Sequence, residues 1–224
     1  MKPFEVISLD MFQTLVNVDS RKEHIWRQIQ NDSYTSDLAE QCGGRLLELF
    51  WDHSSDFKAT KQFHLTQDIY KRCFESLFKE KGMTYDPLEA TRILISEHTH
   101  SELYEDTVEF LEGIINKYKV CIVSDTDEAM LPKFYLDYSL RIFTSEQYQS
   151  YKNDDHNAMF KQLLHTYHVN PSQVIHIGDS ISDVVGAKRE GIVSCWLNRE
   201  RRSWRHEVKP DLIIHSLRDL DTLL

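Results

Sequence analysis

The sequence predicts an α/β fold: a doubly wound parallel-sheet core interrupted by an inserted bundle of helices. Three observations predict it. One short, largely apolar run stands near the N-terminus at Val6–Leu9. A long helical region with very little strand pattern follows it, and from about residue 96 onward short apolar runs alternate with helical segments. The expected division is residues 1–16 and 96–224 for the core and 17–95 for the helical insert.

The chain opens on the stretch Glu5 to Val18. Val6, Ile7, Ser8 and Leu9 read as a strand of the buried parallel kind, ending at Asp10, with Phe12, Thr14 and Leu15 beyond. A carboxylate at the carboxyl end of such a strand lies where open α/β sheets bind ligands. It can attack an electrophile, bind a cation, or merely cap a turn.

Ser20 is the expected N-cap of a helix through Ile29, with Ile25, Trp26 and Ile29 on one face. A second helix starts near Thr35 or Ser36 and carries Leu38, Leu46, Leu47, Leu49, Phe50 and Trp51, with Gly43 and Gly44 weakening its middle. Ser54 to Leu65 is polar and mixed, and reads as loop. Thr66 to Lys81 is an amphipathic helix stopped by Gly82, and Pro87 opens another.

The alternation then changes. Thr107–Tyr118 reads as helix, Lys119–Val123 as a second buried strand ending at Ser124, and Ala129–Tyr138 as helix. Arg141–Thr144 is a third strand and Asn157–Tyr167 a helix. Val174–Ile177 is a fourth strand, ending in Gly178 and Asp179. Val184–Arg189 is helical, Ile192–Leu197 makes a fifth strand, and Asp211–Ile214 a sixth. Right-handed crossovers would bring the strand ends together at one edge.

Composition narrows the class. With 224 residues, a net charge of −10, 41% apolar and 28% charged residues, the chain reads as an ordinary soluble globular protein. The acidic balance argues against a general nucleic-acid binder or a surface that clings to anionic membranes. No apolar signal region or spanning stretch is seen, which points to the cytoplasm. Cys42, Cys73, Cys121 and Cys195 lack metal-type pair spacing and read as reduced core thiols. The expected partner is a small-molecule substrate. Oligomeric state is left open.

Four strand ends or the loops after them carry polar groups: Asp10, Ser124 with Asp125, Lys152, and Asp179 with Asp183. Each has a bland reading as a helix cap or a solvated side chain. Together they fit one chemistry. Transfer from a phosphorylated substrate needs a nucleophile, a hard cation and donors for the non-bridging oxygens. Asp10 and Asp179 could share a Mg²⁺. The Ser124 hydroxyl and the amides of the following turn could bind phosphoryl oxygens, and Lys152 could let two anions approach.

The first-strand Asp10-x-Phe12-x-Thr14-Leu15, the second-strand Ser124, the run TSEQYQSYK ending in Lys152, and GDSISD from Gly178 to Asp183 together resemble the haloacid dehalogenase-like hydrolase superfamily. The motifs occur in that family's order, and the helical insert resembles its type I cap. The resemblance implies a Rossmann-like core, with Asp10 as nucleophile and an aspartyl-enzyme intermediate that water hydrolyses. It further implies Asp10, Asp179 and the Phe12 backbone carbonyl as Mg²⁺ ligands, supported by Asp183. Ser124 and Lys152, with Asp125 beside them, would hold the phosphoryl group. The cap would close over the core, and its inner face would set specificity.

Position 12 departs from the family's phosphatases, which place a second Asp there to protonate the leaving group. Phenylalanine has no transferable proton, so this acid–base contribution, typically ~10²–10⁴-fold, is absent or comes from elsewhere. The first reading is a phosphohydrolase whose acid comes from the cap or the substrate, or whose leaving group needs none. The second is a 2-haloacid dehalogenase, where halide leaves unprotonated and an aromatic at this position is typical. Against it, such dehalogenases lack the GD-x-x-x-D metal motif kept here. The third is a low-activity binding or regulatory protein. A phosphonate hydrolase using a cap lysine (Lys58, Lys61, Lys71 or Lys79) ranks lower. Tyr104, the tryptophans and the basic run Arg199, Arg201 and Arg202 receive no role.

Overall fold

The computed structural model describes residues 4–60 and 62–222, apart from the side chains of residues 58, 221 and 222. Of the lysines weighed for a Schiff base, Lys61 and the side chain of Lys58 lie outside the described residues. The chain divides into two compact units. One comprises the residues up to Asn17, Leu103–Asp125 and Lys133 onward; the other comprises Val18–Glu102 with Thr126–Pro132.

In the first unit, six parallel strands form one sheet. They are Val6–Leu9 (β1), Lys119–Ser124 (β4), Arg141–Thr144 (β5), Val174–Gly178 (β6), Val193–Leu197 (β7) and Leu212–Ile214 (β8). Their order is β5-β4-β1-β6-β7-β8. This is the doubly wound arrangement. Val16–Asn17 (β2) and Glu102–Leu103 (β3) pair in a separate two-stranded sheet. Two residues carry no period, so no sequence pattern announces them. Among the described residues, five α-helices belong to this unit: Thr107–Ile114 (α5), Phe134–Asp137 (α6), Ser145–Tyr148 (α7), Ala158–Tyr167 (α8) and Ile181–Arg189 (α9).

Strand alternation fills both faces of the sheet. Val6, Cys121, Val123, Phe143 and Val174 pack with Met159, Phe160 and Leu163 of α8 and Ala187 of α9 in one core cluster. The alternate residues Ile7, Leu9, Ile122, Ile175 and Ile177 are also wholly buried. A strand with both faces covered can be apolar throughout, which is why β1, β4 and β6 are legible as short unbroken runs. All four cysteines are buried free thiols.

In the second unit, Lys22–Gln30 (α1), Ser36–Ala59 (α2), Thr66–Lys81 (α3) and Pro87–His98 (α4) form a bundle in which α3 packs against both α2 and α4. Trp26 meets Phe74 edge-on, and Phe50 stacks on Tyr70 at 4.7 Å. Arg21 pairs with Glu97 at 2.7 Å. No helix among the described residues is long and apolar enough to cross a membrane.

Several expected boundaries shift for physical reasons. The second helix runs through Ser54 to Ala59, because Phe57 continues the apolar stripe and is buried. Gly43 is no weak point: a Cβ there would stand 3.0 Å from Lys22 Cε and 3.3 Å from Trp26 Nε1, so glycine lets α1 approach. Ser20 does not cap the first helix; its hydroxyl accepts from the Glu102 amide at 3.0 Å, and α1 starts at Lys22 after a 3₁₀ turn. The helix expected over Ala129–Tyr138 is broken by Pro132, before which Leu131 is extended. Residues 126–132 go with the helical bundle because the Asp127 carboxylate caps α3, accepting from the amides of Thr66 and Gln67, each at 2.8 Å.

Candidate active site

The sheet order brings the candidate residues together. From β1 the chain crosses to β4 and β5, then returns to the other side of β1 to form β6, β7 and β8. The order therefore reverses between β1 and β6, and the crevice outside the carboxyl ends of those strands is where such sheets bind ligands. Asp10 follows β1 and Asp179 follows β6, while Ser124 ends β4.

Lys152 lies at the centre. Its ammonium donates to Asp10 Oδ1 at 2.7 Å and to Asp183 Oδ1, and its side chain is 3% exposed. Ser124 Oγ donates to the same Asp10 oxygen at 2.9 Å. Oδ1 of Asp10 thus takes both donors. Asp10, Asp179 and Asp183 each offer a carboxylate oxygen, all within 4.8 Å of one another.

Two glycines allow this approach. A Cβ on Gly178 would fall 2.2 Å from Asp183 Cγ, and one on Gly186 would fall 1.8 Å from the Lys152 carbonyl oxygen. Ser180 caps α9 through a reciprocal pair of bonds with Asp183: its amide donates to Asp183 Oδ2 at 2.9 Å, and Asp183 N donates to Ser180 Oγ. That capping box holds the Asp183 carboxylate in place.

The electrostatics separate the three carboxyls. Burial, with the charge of Asp183, raises Asp10 to about 6 against the pull of Lys152. Asp179 is raised to about 8 by burial and by the neighbouring Asp183 and Asp10. Burial alone would raise Asp183 too, but Lys152 and His176 hold it well below the usual carboxylate range. Burial opposes the charge on Lys152, yet Asp10, Asp183 and Asp125 keep it protonated.

Asp125, expected beside the phosphoryl group, directs Oδ1 to the Lys152 amide at 2.8 Å and so anchors that loop. Phe12 is half-buried in the loop after Asp10 and forms a bridge with Val16. The next residue, Gln13, has φ 60° and accepts from the Tyr104 hydroxyl at 2.5 Å.

A family model described as haloacid dehalogenase-like hydrolase matches residues 4–191. The chain belongs to that family. Solved structures agree in fold. YfnB of Bacillus subtilis, described as a HAD-hydrolase and bound to magnesium, superposes with a TM-score of 0.83 at 18% identity, covering 100% of this chain and 99% of that one. A dehalogenase with an intermediate complex gives 0.78 at 19% identity, covering 100% and 98%. The L-2-haloacid dehalogenase of Xanthobacter autotrophicus gives 0.79 at 15% identity, covering 98% of each chain. No curated protein matches the chain.

Around this haloacid dehalogenase-like core the structure adds residues that the motifs do not name. Asp154 ties the Lys152 loop into a knot, accepting from Ser150 Oγ (3.0 Å) and from the amides of Tyr151 (2.8 Å), His156 (2.9 Å) and Asn157 (2.6 Å). An Asp followed within three residues by amides it can accept from is an Asx-type signal, visible in NDDHN but easily missed among neighbouring polar residues.

His176 sits under Asp183, with Nε2 at 3.0 Å from Asp183 Oδ1 and Nδ1 at 2.8 Å from Ser8 Oγ. Burial keeps this imidazole neutral by lowering its pKa. The ionised Asp183 can only accept, so Nε2 carries the hydrogen and Nδ1 accepts from Ser8. Arg199 grips Asp106 through both terminal nitrogens (3.0 and 2.9 Å), donates to the Thr14 carbonyl at 2.8 Å and lies 3.9 Å over the Tyr104 ring. It braces the loop after Asp10 from a distant point in the sequence.

Proposed function

We propose that this haloacid dehalogenase-like hydrolase is a Mg²⁺-dependent phosphohydrolase acting on small phosphorylated metabolites. The observation that carries the reading is the convergence of Asp10, Asp179 and Asp183 within 4.8 Å, with Asp179 raised to about 8 by burial and its anionic neighbours. Three oxygen ligands with surplus negative charge suit a hard divalent cation. Asp10, Asp179 and the Phe12 carbonyl would hold it, supported by Asp183, and it would neutralise charge on the non-bridging oxygens.

Asp10 is the nucleophile in this reading. Lys152 and Ser124 hold Oδ1, so Oδ2 forms the bond to phosphorus while the bond to the leaving oxygen breaks. The same two donors then orient the acyl phosphate, and water attacks phosphorus, releasing inorganic phosphate and restoring the carboxylate. Lys152 supplies the positive charge that lets Asp10 approach a phosphate dianion. No side chain at position 12 donates a proton, so the leaving group departs as its anion or takes a proton from water.

A 2-haloacid dehalogenase is the second reading, and Phe12 favours it. There Asp10 would displace halide from carbon and water would hydrolyse the resulting ester, with no leaving-group protonation required. Release of phosphate from p-nitrophenyl phosphate, with and without Mg²⁺, tests the first reading beside halide release from 2-chloropropionate. Metal-dependent phosphate release that disappears in Asp10→Asn is the expected result. An Asp10→Asn variant as active as the parent, or halide release without metal in place of phosphate release, would overturn it.

A further inference from the structure

Between β7 and β8 the chain passes from Asn198 to Asp211 without helix or strand. Structureless connections longer than ~12 residues are uncommon in compact domains and usually functional. This one is tightly tethered. Asn198, 4% exposed, accepts from the Arg202 amide at Oδ1 and donates to the Arg202 carbonyl from Nδ2, each at 2.8 Å. Its own amide donates to the Ile214 carbonyl at 2.7 Å, and its carbonyl accepts from Arg201 N at 3.2 Å. Arg201 takes φ 55°, a left-handed conformation that costs a non-glycine residue ~1 kcal/mol or more. The loop also wraps back on the sheet, where Trp204 meets Trp196 edge-on at 4.9 Å.

The result of this tethering is a fixed backbone at Arg202 with its guanidinium beside the active site. Nη2 of Arg202 lies 3.7 Å from Asp179 Oδ2. Asp179 is itself fixed, since its carbonyl accepts from the Trp196 indole at 2.9 Å. The Arg202 side chain is 56% exposed, whereas Lys152 is buried under two carboxylates. An exposed pair at 3.7 Å is worth little by itself, so the pairing with Asp179 does not account for a strained, fully anchored loop. A planar fork of donors held at the rim of an anion-handling site does. Glu200, 3.5 Å from Arg202 Nε and 70% exposed, can turn aside into water.

We infer that Arg202 is a specificity-determining residue that binds a second anionic group on the substrate. The substrate class is then a small phosphate monoester carrying a carboxylate or another phosphate a few bonds from the scissile phosphoryl group. This rests on the phosphohydrolase reading of the same site. Were Asp179 to bind a cation, the exposed Arg202 guanidinium would be free to turn to that second anion.

The test compares propyl phosphate with 2-carboxyethyl phosphate, which differ by a carboxylate in place of a methyl group. Dissociation constants are measured by titration calorimetry in Mg²⁺ buffer with the Asp10→Asn protein, so that binding is read without turnover. The carboxylate compound is expected to bind at least tenfold more tightly. Adding Arg202→Gln should abolish that preference, and Arg202→Lys should restore part of it. Thermal unfolding of each variant checks that the exposed substitution leaves the fold intact. Equal binding of the two compounds, a preference that survives Arg202→Gln, or no binding of either overturns the inference. Tight binding of 2-chloropropionate that depends on Arg202, without the phosphate preference, also overturns it. Absence of p-nitrophenyl phosphate turnover in the parent bears on the phosphohydrolase reading instead, because these binding measurements do not need turnover.

Discussion

A Cβ on residue 186 would stand 1.8 Å from the carbonyl oxygen of Lys152. The helix that carries Asp183 and the loop that carries Lys152 therefore meet where only glycine fits, and neither backbone can yield cheaply. Gly186→Ala should destabilise the protein by about 1–3 kcal/mol and lower turnover at least tenfold as Lys152 is pushed from Asp10. Gly44→Ala is the control. Nothing lies within 4 Å of its added Cβ, so urea unfolding should show it neutral or stabilised by about 0.5–1 kcal/mol.

Removing the ammonium exposes a different cost. Lys152→Met leaves Asp10 and Asp183 buried without their cation, a loss of about 3–5 kcal/mol near neutral pH. Without Lys152 the Asp10 carboxyl, already raised to about 6, rises further above its unfolded value, and Asp183 loses the main charge that holds it low. The folded variant then binds more protons than the unfolded chain, and its stability falls as pH rises through that window. Urea midpoints at pH 5 and pH 8 should show a small deficit against the parent at the lower pH and a large one at the higher. An equal deficit at both would contradict the account.

In the phosphohydrolase reading, Asp179 would link metal binding to protons. Raised to about 8, its carboxyl is largely protonated at pH 7, and a cation must displace that proton. Mg²⁺ uptake at pH 7 should release close to one proton, and affinity should climb with pH up to about 8. Calorimetry in two buffers of different ionisation enthalpy reads the proton directly. Identical heats in both would falsify the linkage, and Asp179→Asn should remove it.

The helical unit has its own acid limb. Burial lowers His98 to about 4, against about 6.5 in an unfolded chain. The neutral form is favoured in the fold, so this contribution is complete above pH 6.5 and is lost as pH falls toward 4. The loss amounts to about 3 kcal/mol across the window. Helix loss followed by circular dichroism between pH 7 and pH 4 should be less steep in His98→Asn than in the parent, once each is referred to its stability at pH 7.

The sequence shows the sheet clearly and its fastenings poorly. β1, β4 and β6 are buried on both faces, so their composition alone marks them, and the polar residue after each stands out against an apolar run. That is why Asp10, Ser124 and Asp179 are identifiable from one chain. Asp154, His176 and Arg199 are not, because their partners at Tyr151, Ser8 and Asp106 are chosen by the tertiary fold or are short-range bonds that many polar loops could make. His176 reads as one more residue of an apolar strand, and only the register that sets it beside Ser8 reveals its use. Ser54–Ala59 reads as loop because its polar residues outnumber Phe57, whose burial decides the helix.

The carboxylate of Asp127 holds the first amides of α3 from a point in the chain some sixty residues later. The helical bundle is consequently not a contiguous segment that can finish by itself as the polypeptide emerges. The cap on its third helix is supplied only from beyond β4, the core strand that ends at Ser124. A graft of residues 18–102 alone into another protein would carry α3 with an open end. Transplanting the bundle intact therefore requires two cuts in the chain and two pieces.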